Sequence, residues 1–150
     1  MNVIRFIILS GVIFSGLIIL PISAAGSSTP DLTIVGVSGP SALQQGKTVS
    51  VSVLVGNLGD SFLGNALVSV YLTRDSTLKN SDDILIGSFY TKDRIPKTSS
   101  SQALKFTLRK NVPKKPGTYH YGAIIDPNNQ IAEKKESNNQ YVNGGMVTIT

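Results

Sequence analysis

In Thr48-Val49-Ser50-Val51-Ser52-Val53-Leu54-Val55 every second residue is valine, and two of the three residues between the valines are serine. Side chains alternate between the two faces of a β-strand, so this stretch predicts one face packed on a core and one face open to water. Valine also suits a pleated, packed surface, because its branched Cβ loses little freedom there.

The same period continues on both sides, in short runs separated by Gly, Pro, Asn and Ser. It predicts strands at 32–38, 48–56, 67–74, 84–90, 102–109, 118–126 and 146–150. About seven antiparallel strands with turn chemistry between them describe an all-β sandwich of two sheets. Val68, Val70 and Leu72 should then face inward, with Leu104, Phe106 and Leu108 and with Tyr119, Tyr121, Ala123 and Ile125; Val51, Val70, Phe106 and Tyr121 are expected deep in the core. Gly39-Pro40, Asn57-Leu58-Gly59-Asp60, Pro116-Gly117 and Asp126-Pro127-Asn128-Asn129 supply the turns.

The 150 residues allow one ordinary domain, and 41% hydrophobic with 15% charged residues is the composition of a globular chain. The apolar content is uneven. Residues 6–20 form an uncharged hydrophobic run behind Arg5, about 15 residues long. That falls short of the ~20 an α-helix needs to span a bilayer and fits the apolar region of a signal peptide. Pro21 and the small residues Ser23-Ala24-Ala25 follow, so residues 1–25 are expected to be a signal peptide with a helical core, cut before Gly26. An uncleaved membrane anchor is the alternative. Residues 26–30 then form a short flexible lead-in and 31–150 the domain. Either way the domain is expected outside the cytoplasm, secreted or at the cell surface. The chain has no cysteine, which leaves an exported domain of this size without disulfides.

No constellation for catalysis emerges. His120, the single histidine, sits between Tyr119 and Tyr121 on an outward-facing strand position, where sheet packing accounts for it better than general-base chemistry. The expectation is therefore no enzyme. Two loops invite comparison with calcium sites. In the first, Asp75, Asp82 and Asp83 lack the spacing of an EF-hand, and turn capping with Asn80 explains them better. In the second, Asp126, Asn129, Glu133, Glu136, Asn138 and Asn139 crowd one long loop; Lys134 and Lys135 within it argue for a loop structured by its own side-chain hydrogen bonds rather than by a metal. No cofactor is expected.

Basic residues concentrate between Lys92 and Lys115, with Asp93 the only acid among them. Lys92, Arg94, Lys105, Arg109 and Lys110 are the candidate ligand-binding set, Lys105 and Arg109 falling on the outer face of one strand. They read either as guards against edge-to-edge aggregation or as a patch for an anionic partner. Without aromatic residues interleaved among the cations, nucleic acid is not an expected partner.

Pro30-Asp31-Leu32, Gly46-Lys47-Thr48-Val49 with Asn57-Leu58-Gly59, Tyr71-Leu72-Thr73-Arg74-Asp75 with Asp82, and Pro116-Gly117-Thr118-Tyr119 running to Asp126-Pro127 occur in an order and spacing that resembles the CARDB family, cell-adhesion-related domains of bacteria and archaea. Ile131-Ala132-Glu133 and Glu136-Ser137-Asn138-Asn139 look like that family's Glu and Glu-x-Asn-Asn signature. The resemblance covers 30–150. It implies an immunoglobulin-like sandwich and a surface or adhesive setting, and it supplies no ligand. The expectation is a binding module for a protein or glycan of the cell envelope, with a structural subunit of a surface assembly as the alternative.

Overall fold

In the computed structural model residues 28–98 and 103–150 are described. The predicted signal peptide, its cut site and the first two residues of the lead-in lie outside them. The strands are β1 (Leu32–Ser38), β2 (Ala42–Leu43), β3 (Thr48–Asn57), β4 (Phe62–Leu63), β5 (Leu67–Thr73), β6 (Ile84–Tyr90), β7 (Arg94–Ile95), β8 (Leu104–Asn111), β9 (Gly117–Ile125) and β10 (Gln140–Ile149), with a 3-10 turn at Glu136–Asn138 before β10.

One sheet has the order β1-β3-β8 and the other β2-β10-β9-β5-β6, while β4 and β7 form a two-stranded ribbon. The valines of β3 lie inside: Val51, Val53 and Val55 are wholly buried and Val49 nearly so. They meet Val68, Val70, Leu72, Tyr121, Ala123 and Ile125 of the facing sheet in one apolar cluster.

Four expectations need correction. β2 runs parallel to β10, so the sandwich is not wholly antiparallel. β10 begins at Gln140, because a register shift between Val142 and Met146 lets the strand resume pairing after Asn143-Gly144-Gly145. β5 is buried on both faces, with Ser69 bonded to Ser88 (2.9 Å) instead of facing water. Phe106 is only half-buried. It sits on β8, an edge strand, and there stacks on Phe89 at 5.4 Å between ring centroids, closing the seam between the sheets rather than filling the centre.

Turn residues are set by neighbours. A Cβ on Gly59 would lie 2.6 Å from the backbone of Thr29, Pro30 and Asp31, and one on Gly39 would lie 2.8 Å from the Tyr121 ring. Only glycine permits either approach. Tyr121 donates its hydroxyl to Pro40 O (3.0 Å), and burial pushes its pKa up to about 12.

Candidate functional site

Two regions gather the polar residues. The first is the 126–139 loop, which joins β9 to β10. Asp126, with φ of 46°, turns its carboxylate back on the loop and accepts from Gln130 N (3.1 Å) and Ile131 N (2.7 Å). Asn129, at φ 52°, takes the left-handed position that asparagine tolerates, its N–H closing the turn onto Asp126 O (3.0 Å). Glu136 Oε1 accepts from Glu133 N (3.1 Å). These three residues structure the loop internally.

Glu133 and Asn138 do something the sequence did not disclose. Glu133 accepts from Leu32 N with Oε2 and from Asn139 Nδ2 (2.9 Å) with Oε1. Asn138 donates from Nδ2 to Asp31 Oδ1 (2.7 Å), and its carbonyl accepts from Thr33 Oγ1 (2.9 Å). Lys134 N bonds Pro30 O (2.8 Å), and its ammonium pairs with Asp60 (3.2 Å). The loop is thus a clasp on the start of β1, a strand of the opposite sheet. Burial pushes the Glu133 carboxyl up to about 7; the bonds from Leu32 N and Asn139 hold it down, and the charges of Glu136 and Asp126 push it further up. The Oδ1 atoms of Asn138 and Asn139 are buried without a partner among the described residues.

Asn57, which the sequence offered only as a turn residue and as part of the family resemblance, completes the clasp. It is wholly buried, and its amide makes four bonds: Oδ1 accepts from Asp31 N (3.0 Å) and Gly59 N (3.1 Å), and Nδ2 donates to Asp60 O (2.7 Å) and Ile95 O (3.1 Å). Its own N–H donates to Thr98 Oγ1 (2.8 Å). An asparagine ending a valine strand, two residues before a glycine, was the available signal.

The Asp75, Asp82 and Asp83 candidates do not converge. Asp75 caps Thr77 N (2.7 Å) and holds Asn80 Nδ2 (3.2 Å), Asp83 accepts from Asn80 N (3.1 Å), and Asp82 stays exposed. Among the described residues no group of three or more His, Asp or Glu is placed to hold a metal ion.

The second region is the basic face. Register pairs Lys105 with Leu54 and Arg109 with Ser50, which puts both cations on the outer face of the β1-β3-β8 sheet. Arg109 Nε donates to Ser50 Oγ (3.2 Å). Lys110 departs from the set: its stem crosses to β6, within 2.9 Å of where a Cβ on Gly87 would lie, and covers the seam with methylenes. Lys92, Arg94 and Lys105 come together around a cleft of about 240 Å³ whose other walls are Pro96, Leu104 and Phe106. His120 is half-buried, with Nδ1 3.1 Å from Gly145 O, a sheet-packing position.

Two sheets packed face to face, with a long loop of one tied to the first strand of the other, define an immunoglobulin-like β-sandwich. The chain belongs to the CARDB family, whose model matches residues 29–143. The crystal structure of a CARDB domain from Pyrococcus furiosus, in complex with di-metal ions, superposes with a TM-score of 0.57 at 23% identity over 81% of this chain and 90% of that one. A domain assigned to a cell surface protein of Methanosarcina acetivorans superposes with a TM-score of 0.54 at 18% identity, over 81% of this chain and 93% of that one. No curated protein matches significantly.

Proposed function

We propose that this chain is an exported, extracytoplasmic binding module without catalytic activity, which engages an anionic partner of the cell envelope through its basic face. The hydrophobic run at 6–20 supports export, membership of the CARDB family agrees with a surface setting, and the only histidine is spent on a sheet contact.

One observation carries the reading. Among the described residues the single ion pair is Lys134 with Asp60, so no cation between Lys92 and Lys115 forms an ion pair with a carboxylate, Lys97 alone acting on Asp60 at longer range. Unpaired charge of one sign costs self-repulsion and is retained where it attracts a partner. Guarding the β8 edge explains Lys105 but not the cations of the β6–β8 connection, which lie off that strand.

The test is binding of the protein to polyanions extracted from the producing cell's envelope, at rising salt. Affinity should fall steeply with ionic strength and be lost when Lys92, Arg94, Lys105 and Arg109 are together changed to glutamine. Binding that is indifferent to salt and to those four changes would overturn the proposal. Filaments growing from β8 at low salt, seen by light scattering, would favour the structural-subunit alternative. Sequencing the N-terminus of the recovered protein decides between a chain starting at Gly26 and one anchored with Met1 intact.

A further inference from the structure

We infer that the cleft walled by Lys92, Arg94, Lys105, Pro96, Leu104 and Phe106 is a subsite for one carboxylated sugar ring, a uronate unit of an acidic polysaccharide. This rests on the reading of the basic face as a binding surface and specifies what that face reads.

Size sets the first limit. About 240 Å³ is below the range of ~300–1,000 Å³ usual for drug-sized ligands, so the cleft admits one ring rather than an extended cofactor. Its chemistry sets the second. Three cations stand at the rim while Pro96, Leu104 and Phe106 offer an apolar wall. A bare inorganic anion has no use for that wall, and an acidic peptide side chain brings its carboxylate on a flexible stem with no flat face. A pyranose uronate has both: a face of C–H groups, slightly positive and suited to the negative face of an aromatic ring, and a carboxylate in the ring's own plane, which a guanidinium such as that of Arg94 binds through two parallel N–H bonds.

The wall is held ready. Phe106 is fixed against Phe89 by stacking at 5.4 Å and an interplanar angle of 29°, so little side-chain freedom remains to be lost on binding. The cations have no carboxylate to leave. Arg109 lies on the same outer face as Lys105, ~13 Å further along the strand, and is steadied by Ser50. That places a further positive charge more than one ring's length away, where a later unit of a linear polymer would reach it and a lone monosaccharide would not. By contrast, the depression of about 540 Å³ lined by Pro30, Phe62, Leu63 and Ile131 carries no charged side chain.

The experiment is calorimetric titration of the protein with four probes: trigalacturonate, its neutral galactose counterpart, polyglutamate of matched charge as a ring-free polyanion, and a single-stranded oligonucleotide. Trigalacturonate should bind, the neutral trimer should not, and the other two should bind about tenfold more weakly or worse. Arg94→Gln should weaken trigalacturonate by about tenfold, the worth of one charge-assisted hydrogen bond. Phe106→Leu, checked for an unchanged melting curve, should weaken trigalacturonate several-fold and leave polyglutamate unaffected. Equal binding of polyglutamate or oligonucleotide, or no effect of Phe106→Leu, would overturn the sugar subsite while leaving a general polyanion surface standing. No binding of any anionic probe would overturn both.

Discussion

Replacing Asn57 by leucine, which keeps the branched outline but carries bulkier methyl ends, removes four hydrogen bonds without opening a cavity. Two of them, to Gly59 N and Ile95 O, are buried; those to Asp31 N and Asp60 O are part-buried, where water can substitute. A buried polar group left without a partner costs about 1–3 kcal/mol, and a part-buried one about 0.5–1. The expected loss is therefore about 3–8 kcal/mol, a large share of the ~5–15 kcal/mol that holds a domain together. Urea denaturation should show a lower midpoint at an unchanged slope, since the surface exposed on unfolding stays the same. Asn57→Asp should be rescued in part at acid pH, where a protonated carboxyl regains one donor. Leu58→Ala, next door but 46% exposed, is the control and should cost under about 1 kcal/mol. A loss below about 1 kcal/mol for Asn57→Leu would refute the view that this amide ties β1 to the β4–β7 ribbon.

Glu133 has a folded pKa of about 7 against an ordinary 4.5, so the fold holds this proton more tightly than the unfolded chain does; the stability it adds is complete below 4.5 and lost as pH rises through about 7. The melting temperature should fall between pH 5 and pH 8, by an amount reduced because the carboxyl is half-exposed, and Glu133→Gln should flatten the curve; a flat curve in the parent protein would refute this. Tyr121→Phe should cost ~1 kcal/mol through the lost bond to Pro40 O, and ultraviolet titration should show one tyrosine still un-ionised at pH values above ~10 that vanishes in this variant. Millimolar calcium should leave the melting curve where chelator leaves it, because both Asp126 oxygens and both Glu133 oxygens already accept hydrogen bonds; a rise of several degrees, abolished by Glu133→Ala, would make the loop a metal site.

The valine alternation was legible because β3 is central in its sheet and shows water one face only, the condition under which period two is cleanest. Where that condition fails, the pattern misleads. β5 has no open face, so Ser69 and Thr73 looked exposed and are buried. β8 is an edge strand, so Phe106 carries the period of a core residue without the burial. β2, β4 and β7 are two residues each, too short to have a period. The 126–139 loop drew attention through its density of Asp, Asn and Glu, and Asp126 accepts from Gln130 N and Ile131 N of that loop. The partners of Glu133 and Asn138 could not be read, because they lie 101 and 107 residues away in sequence. Likewise the concentration of cations from Lys92 to Lys115 suggested a basic face, whereas the meeting of Lys92, Arg94 and Lys105 around Phe106 is a product of the fold, which brings Arg94 of β7 beside β8.

The contacts of β1 with the last strand advance in step: Thr33 with Asn138, Val37 with Asn143, and Ala42 beyond β1 with Thr148. β1 and β10 therefore run in the same sense, and the chain enters the sandwich at one pole and leaves it at the other. A load applied between residues 30 and 149 would pull along the strands, so that the β1–β3 ladder, the Asn57 amide and the Glu133 clasp must slide together rather than open one bond at a time. Gripping the chain at its point of entry therefore makes the domain resist stretching along its strands between residues 30 and 149.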